Sequence, residues 1–369
     1  MNQTGLLAQK RVSRRQDIIR RLEDKQADAF LVQSRENTQY LTGFTGTTSL
    51  ALITSQASYI LLDSRYIEQG TAQCTDMTAV PVRNPSAGLP DLIKEQKIRR
   101  LAIEDEEMSY AGYRRLVESL PGVDFIPFSA EASNVRVVKD EVELATLREA
   151  VRISDEAWTD LVPTIKIGMT ENEVAARLEY FFRLKGASGP SFETIIASGH
   201  RSAMPHGVAS DKKIEAGDPI VMDFGCLYEG YCSDCTRTIF VDHIKPEIGK
   251  IYDVVLAAQQ KAEQTIKAGM IGRDCHQIAA DVINEAGYGD YFGHGLGHSV
   301  GLLIHESPNF SLSESGPIPA GAVLSVEPGI YLPGKGGVRI EDIGLVTDEG
   351  YESFTQITRE KTLISGKGV

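Results

Sequence analysis

The stretch from Val221 to Cys235, VMDFGCLYEGYCSDC, constrains this chain more than any other. Folded as a hairpin centred between Tyr228 and Glu229, it sets Asp223 directly opposite Asp234. Directly opposed side chains share one face of an antiparallel pair, with Cβ atoms about 5 Å apart. Two carboxylates that close repel by about 4 kcal/mol at an effective dielectric of ~20. Something positive must sit between them, or one must be protonated. The plainer alternative is a pair of solvated acids on an exposed hairpin.

A second stretch shifts that balance. Glu327 and Glu341 bracket Pro-Gly-Lys-Gly-Gly at 333–337, with Gly334 midway, between the β-type runs VLSVE and GVRIE. Here too two acids can meet across a hairpin. Between the two hairpins lies HGLGH, with His294 and His298. Two acid pairs and a histidine form an oxygen-rich set with one nitrogen, of the kind divalent first-row metals accept. Four carboxylates sum to −4 and two divalent cations to +4, so a two-metal cluster is the simplest way to bury all four.

The 369 residues suffice for two domains. A hydrophobic content of 42% with 24% charged residues is that of a soluble globular protein. The net charge of −13 excludes a general nucleic-acid binder, because phosphate contacts rest on Lys and Arg. No apolar run approaches the ~20 residues of a membrane span, so no membrane partner is expected. The N-terminal MNQTGLLAQKRVSRRQ is basic and lacks a following apolar core, so it reads as a helical lead-in rather than a secretory signal. Five scattered cysteines fit a reducing cytoplasm. Cys232-Ser-Asp-Cys235 has CxxC spacing, but it lacks a second pair. Residues three apart on a strand face opposite ways, which argues against a shared ion.

The order of elements points to α/β (α+β) architecture in two domains, 1–134 and 135–369. An amphipathic helix over 13–27 leads into βα alternation: AFLVQ (29–33), LALIT (50–54), YILLD (59–63), a helix over 64–72, then 77–82, 89–95, 100–104, 110–120 and 124–127. The boundary falls near 133–139. Asp140 with Glu143, and Thr170 with Glu173, are capping boxes that open two helices, the second ended by Gly186. After the first hairpin, a helix over 247–268 ends at Gly269 and another covers 275–286. Two helix pairs, each followed by a hairpin, suggest an internal duplication.

His294 and His298 have the spacing of a helical HExxH site. Gly293, Gly295 and Gly297 interleave them, and each glycine costs a helix about 1 kcal/mol relative to Ala. A loop or strand where backbone comes close to something is expected instead. His206, in MPHGVAS, and His305, in LLIHESP, would each read alone as structural or surface histidines. Arg339 lies two residues before Glu341 and could hold that glutamate by a charge-assisted bond.

At these residues the chain resembles a known family. MDFGCLYEGYCSDCTRTI, HGLGHSVGLLIHESP, LSVEPGIYLP and GVRIEDIGLVT are similar to the signature segments of the pita-bread metallopeptidases. YLTGFTGTTS and LLDSRYIEQG resemble the creatinase-type N-terminal domain of Xaa-Pro aminopeptidases. The resemblance implies a creatinase-like N-terminal domain followed by a pita-bread catalytic domain with duplicated helix pairs and an antiparallel sheet. It implies metal ligation by Asp223, Asp234, His298, Glu327 and Glu341, with Asp234 and Glu341 shared by two ions. His206 and His305 match positions that bind substrate and assist proton transfer; His294 and Arg339 match supporting, substrate-side positions. The family commonly uses manganese, with cobalt or zinc in some members. Ser325 stands where the family usually has Thr, which keeps the hydroxyl.

The implied activity is hydrolysis of the bond between an N-terminal residue and a following proline by a hydroxide bridging the two metals, with Glu327 passing the proton to the leaving nitrogen. Because Xaa-Pro lacks an N–H and carries a stiff ring, a dedicated pocket is needed; Phe192, Tyr331 and the HGLGH glycines are candidates to line it. GFTGTTS favours the aminopeptidase over an Xaa-Pro dipeptidase (prolidase), which would share every ligand. A metal-free relative such as creatinase, or a non-enzymatic binding module, is disfavoured because all five ligand positions are filled. A methionine aminopeptidase would not need the first 130 residues. The expected partners are proline-containing peptides and further copies of the chain, as a cytoplasmic homodimer or larger homo-oligomer.

Overall fold

A computed structural model describes residues 3–365. The chain divides into two compact units, the first running to Arg136 and the second starting at Val137. The first unit is a mixed sheet of six strands. Ala29–Val32 lies at its centre, antiparallel to Leu50–Thr54 on one side and parallel to Arg100–Ile103 on the other. Both AFLV and LALIT are buried along their whole length, as the apolar runs require.

The lead-in helix spans Gln3–Asp24, against the expected 13–27. It stops before Ala27 because Gln26 takes a left-handed φ of 54°. Two further helices, Arg35–Thr42 and Ser129–Asn134, lie outside the expected elements. The first depends on a tertiary partner: buried Glu104 accepts from Ser34 N at 2.8 Å, Ser34 Oγ at 2.5 Å and Asn37 Nδ2 at 2.6 Å.

In the second unit both capping boxes form. Asp140 and Glu143 open Glu141–Leu161, and Thr170 and Glu173 open Glu171–Leu184. A second helix pair, Pro246–Thr265 and Gly272–Glu285, follows the first hairpin. The first of this pair ends at Thr265 rather than 268, because Ile266 turns extended into the core and Ala268 N donates to Thr347 O at 2.9 Å. The sheets are mostly antiparallel: Ile195–Ser198, Pro219–Phe224 and Cys235–Val241 form one group, and Gly297–Ser299, Val323–Val326 and Asp342–Val346 the other. Each helix pair packs on its own apolar core, so the two halves repeat one plan.

The first hairpin corrects an expectation. Its turn is Glu229-Gly230, with φ of 47° and 85°, one residue later than the sequence midpoint. Asp223 therefore pairs with Thr236, not Asp234. A register shift of two residues preserves the face, and both aspartates still line one cavity. The second hairpin keeps the expected register: Val326 pairs with Asp342 and Gly329 with Arg339, which leaves Glu327 level with Glu341. Among the described residues, no helix is long and apolar enough to cross a membrane.

Candidate metal centre

Five strand ends converge on a cavity of about 520 Å³. Asp223 comes from the strand Pro219–Phe224, Asp234 precedes Cys235–Val241, and His298 lies on Gly297–Ser299. Glu327 follows Val323–Val326, and Glu341 stands between Gly336–Arg339 and Asp342–Val346. At the two glutamates the strands leave each other and take new partners. Glu327 N donates to Leu296 O at 2.8 Å, and Glu341 N donates to Thr236 O at 3.0 Å. The glycine before His298 makes the approach possible, since a Cβ on Gly297 would sit 1.9 Å from Ser325 O. Gly225 serves the first hairpin alike, with Ser233 O 1.8 Å from its would-be Cβ.

Ligand atoms of Asp234, His298 and Glu341 all lie within 4.8 Å of one another. His298 Nε2 is 3.6 Å from Asp234 Oδ2 and 3.3 Å from Glu327 Oε1. Burial pushes the Asp234 carboxyl well up, and the charges of Glu341, Asp223 and Glu327 push it further. Glu341 is raised well up by burial and by Glu327 and Asp223, and Glu327 is raised chiefly by burial. The His298, His294 and His305 imidazoles are lowered, chiefly by burial. Neutral imidazoles beside crowded acids are what a cation site requires. The donor set fits divalent ions: Asp223 Oδ1 is buried without a hydrogen-bond partner, and three further carboxylates crowd the same wall.

The cluster is held from behind. Thr236 Oγ1 donates to Glu341 Oε2 at 2.6 Å, and Ser325 Oγ donates to Glu327 Oε1 at 3.1 Å while accepting from His298 N at 3.0 Å. Arg339 does not hold Glu341; its Nη2 donates to Asp223 Oδ2 at 2.5 Å and its Nε to Thr236 Oγ1 at 3.0 Å. On the twisted hairpin, Arg339 reaches across to the first hairpin instead of along its own strand. Tyr331 backs the wall without lining the cavity: its hydroxyl meets His294 Nε2 at 3.0 Å and accepts from Arg339 Nη1 at 2.9 Å.

His206, His294 and His305 line the cavity with Arg339, as do Phe192, Gly295 and Gly297. The rings of His298 and His305 meet edge to face at 4.4 Å. Sequence reasoning missed Thr236, whose signal was available: with the hairpin turn at Glu229-Gly230 it falls opposite Asp223. It also missed Ile195, Val208 and Ile304 in the wall, which look like ordinary core positions in sequence. The CxxC pair divides as expected, with Cys232 Sγ against Leu302 O and Cys235 Sγ against Glu341 O.

Comparisons with known proteins show the family. Residues 145–348 match the model of metallopeptidase family M24, and residues 14–138 match the creatinase/prolidase N-terminal domain. An Xaa-Pro dipeptidase of Pyrococcus horikoshii is 37% identical over 345 residues, 93% of this chain and 97% of that protein. The solved structure of an Xaa-Pro dipeptidase from Bacillus anthracis superposes with a TM-score of 0.93 at 38% identity, covering 97% of this chain and 100% of the other. That of an X-Pro aminopeptidase from Thermotoga maritima gives 0.90 at 39% identity, covering 95% and 100%. With its two acid pairs and His298 gathered at one wall, the chain belongs to metallopeptidase family M24, its catalytic unit preceded by a creatinase/prolidase-type N-terminal domain.

Proposed function

We propose that this metallopeptidase is an Xaa-Pro dipeptidase (prolidase), cleaving dipeptides whose second residue is proline. The observation that carries the reading is the convergence of Asp234, His298 and Glu341 ligand atoms within 4.8 Å, in the cavity that Asp223 and Glu327 also line. The five residues would hold two divalent ions, manganese first and cobalt or zinc as substitutes. Such ions, when bound, supply Lewis acidity and a water acidified toward neutral pH.

The chain's own groups then do the rest. Glu327 takes a proton from the attacking water at a carboxylate oxygen and delivers it to the proline nitrogen, a leaving group that needs one. His305 and His206 hydrogen-bond the scissile carbonyl oxygen and favour it as charge develops. His294, braced by Tyr331, orients the peptide, and Arg339 keeps Asp223 in place. Phe192, Ile195, Val208 and Ile304 offer the pyrrolidine ring an apolar wall that excludes water.

Two of the three relatives described above bear the dipeptidase name, which supports the dipeptide length. The Thermotoga maritima relative supports a second reading, an Xaa-Pro aminopeptidase acting on longer peptides. Incubating the manganese-loaded protein with Xaa-Pro and Xaa-Pro-Xaa peptides and weighing the products separates them. Cleavage confined to the dipeptides is expected; preferential release of the first residue from tripeptides rejects the dipeptidase. Cys74, Cys226, Cys235 and Cys275 are buried thiols, which supports a reducing, cytoplasmic setting. The reading includes a homodimer or larger homo-oligomer, to be checked by light scattering.

A further inference from the structure

Outside the acid cluster, the second unit buries another carboxylate completely. Glu171, in the first turn of the helix Glu171–Leu184, has 0% exposure and does not line the cavity. Five donors from three segments converge on it. Ser198 N and Oγ donate to Oε1 at 2.7 and 2.8 Å. Ser210 N and Oγ donate to Oε2 at 3.1 and 2.6 Å, and Arg201 Nε donates to the same oxygen at 3.0 Å. A buried carboxylate so bonded resists any shift of its donors, because each lost bond leaves charge without a partner.

Arg201 carries that anchor into the loop that bears His206. Its Nη2 donates to Val208 O at 2.6 Å, so one guanidinium spans the loop from Arg201 to Val208. Inside the span, Met204 N donates to Arg201 O and Gly207 N to Met204 O. The far side is held by Arg339 Nη1, which donates to Pro205 O at 3.1 Å. His206 itself is exposed and lines the cavity. A surface loop would ordinarily be mobile; this one is tied at its root and at its tip.

We infer that Glu171 and Arg201 are positioning residues: together they clasp the loop Arg201–Val208 and set where the His206 imidazole enters the cavity. A displacement of about 1 Å in such a group costs on the order of 100-fold in rate. Arg201→Met opens the clasp and leaves Glu171 its four serine donors, so the fold survives.

The test is a double-mutant cycle with His206→Ala. Arg201→Met should lower kcat/KM on an Xaa-Pro dipeptide about 10–100-fold in the parent and under about twofold in the His206→Ala background. Metal content by elemental analysis should be the same in all four proteins. An equal loss in both backgrounds, a loss of metal, or no loss in the parent overturns the inference. Glu171→Gln repeats the comparison if Arg201→Met does not fold. The kinetic readout rests on the dipeptidase reading, and a parent that leaves Xaa-Pro intact rejects that reading alone. Histidine side-chain NMR then judges the clasp: in Arg201→Met the His206 signals should move while those of buried His276 stay, and unmoved His206 signals overturn it.

Discussion

Thr236 bonds Glu341 twice, accepting from its backbone N–H at 3.0 Å and donating Oγ1 to its carboxylate at 2.6 Å. This one residue joins the two hairpins, and it also accepts from Arg339 Nε. Thr236→Val keeps the shape and removes the hydroxyl. Partners behind a metal ligand are each worth about 10–100-fold in metal affinity. Calorimetric titration of the metal-free protein with manganese should show a loss of that size for Thr236→Val, with the helix signal in circular dichroism unchanged.

Glu327→Gln should lose most activity and most bound metal while staying folded. The same change should raise the thermal midpoint measured in EDTA, because one of four mutually repelling acids on this wall has been neutralised. With manganese added the order should reverse, since metal binding then stabilises the parent by mass action. A lower midpoint for the variant under both conditions would falsify the crowding of like charges proposed for this wall. Asp223→Asn should likewise lose metal and activity.

Behind Glu341 lies a second ionic group. Arg237, only 1% exposed, donates to Glu341 O at 2.7 Å, Asp342 Oδ1 at 2.7 Å, and Thr358 O and Ile357 O at 2.8 and 2.9 Å. Asp342 is buried, yet Arg237 and Arg359 hold its carboxyl below the ordinary range. Arg237→Met leaves Asp342 short of a partner, and breaking a buried pair costs about 3–5 kcal/mol. Urea unfolding should show a loss of that order, and a change under 1 kcal/mol would mean the pair contributes no more than a surface salt bridge.

Asp155 gives a pH dependence with a definite sign. Burial raises its carboxyl from 3.8 to about 6, although Gln356 N donates to it at 2.7 Å. The folded state therefore holds this proton more tightly than the unfolded state, and the contribution to stability declines as pH rises from about 4 to about 6. At 1.36 kcal/mol per unit the full effect is about 3 kcal/mol. Asp155→Asn abolishes this slope, so the stability difference between variant and parent should move in favour of the variant between pH 4 and 6. Urea midpoints measured across that range in EDTA test it, and parallel curves would reject the assignment.

The second hairpin was legible because glycines punctuate it: Gly334 lies midway between Glu327 and Glu341, and the ladder keeps that register on both sides. The first was misplaced by one residue. Its turn depends on which pair of residues accepts positive φ, and Glu229, not Tyr228, takes it beside Gly230. The capping boxes at Asp140 and Thr170 were readable because their bonds are local. The short helix Arg35–Thr42 was overlooked although its caps are local, Ser34 Oγ accepting from Asn37 N and Gly43 turning left-handed; the Glu104 carboxylate that anchors Ser34 and Asn37 lies about 70 residues away.

By itself, the sequence determined the two-part α/β plan, the placement of acids on strand ends, and the glycines that let backbone crowd His298. These follow from patterns repeating over two to four residues, which report local geometry. Tertiary structure alone decided that Arg339 grips Asp223 rather than its neighbour Glu341, that Thr236 bridges both hairpins, and that Arg201 clasps the His206 loop. Those choices depend on sheet twist and on which strands meet beyond the ends of each ladder, and the pattern within any one segment carries no record of them.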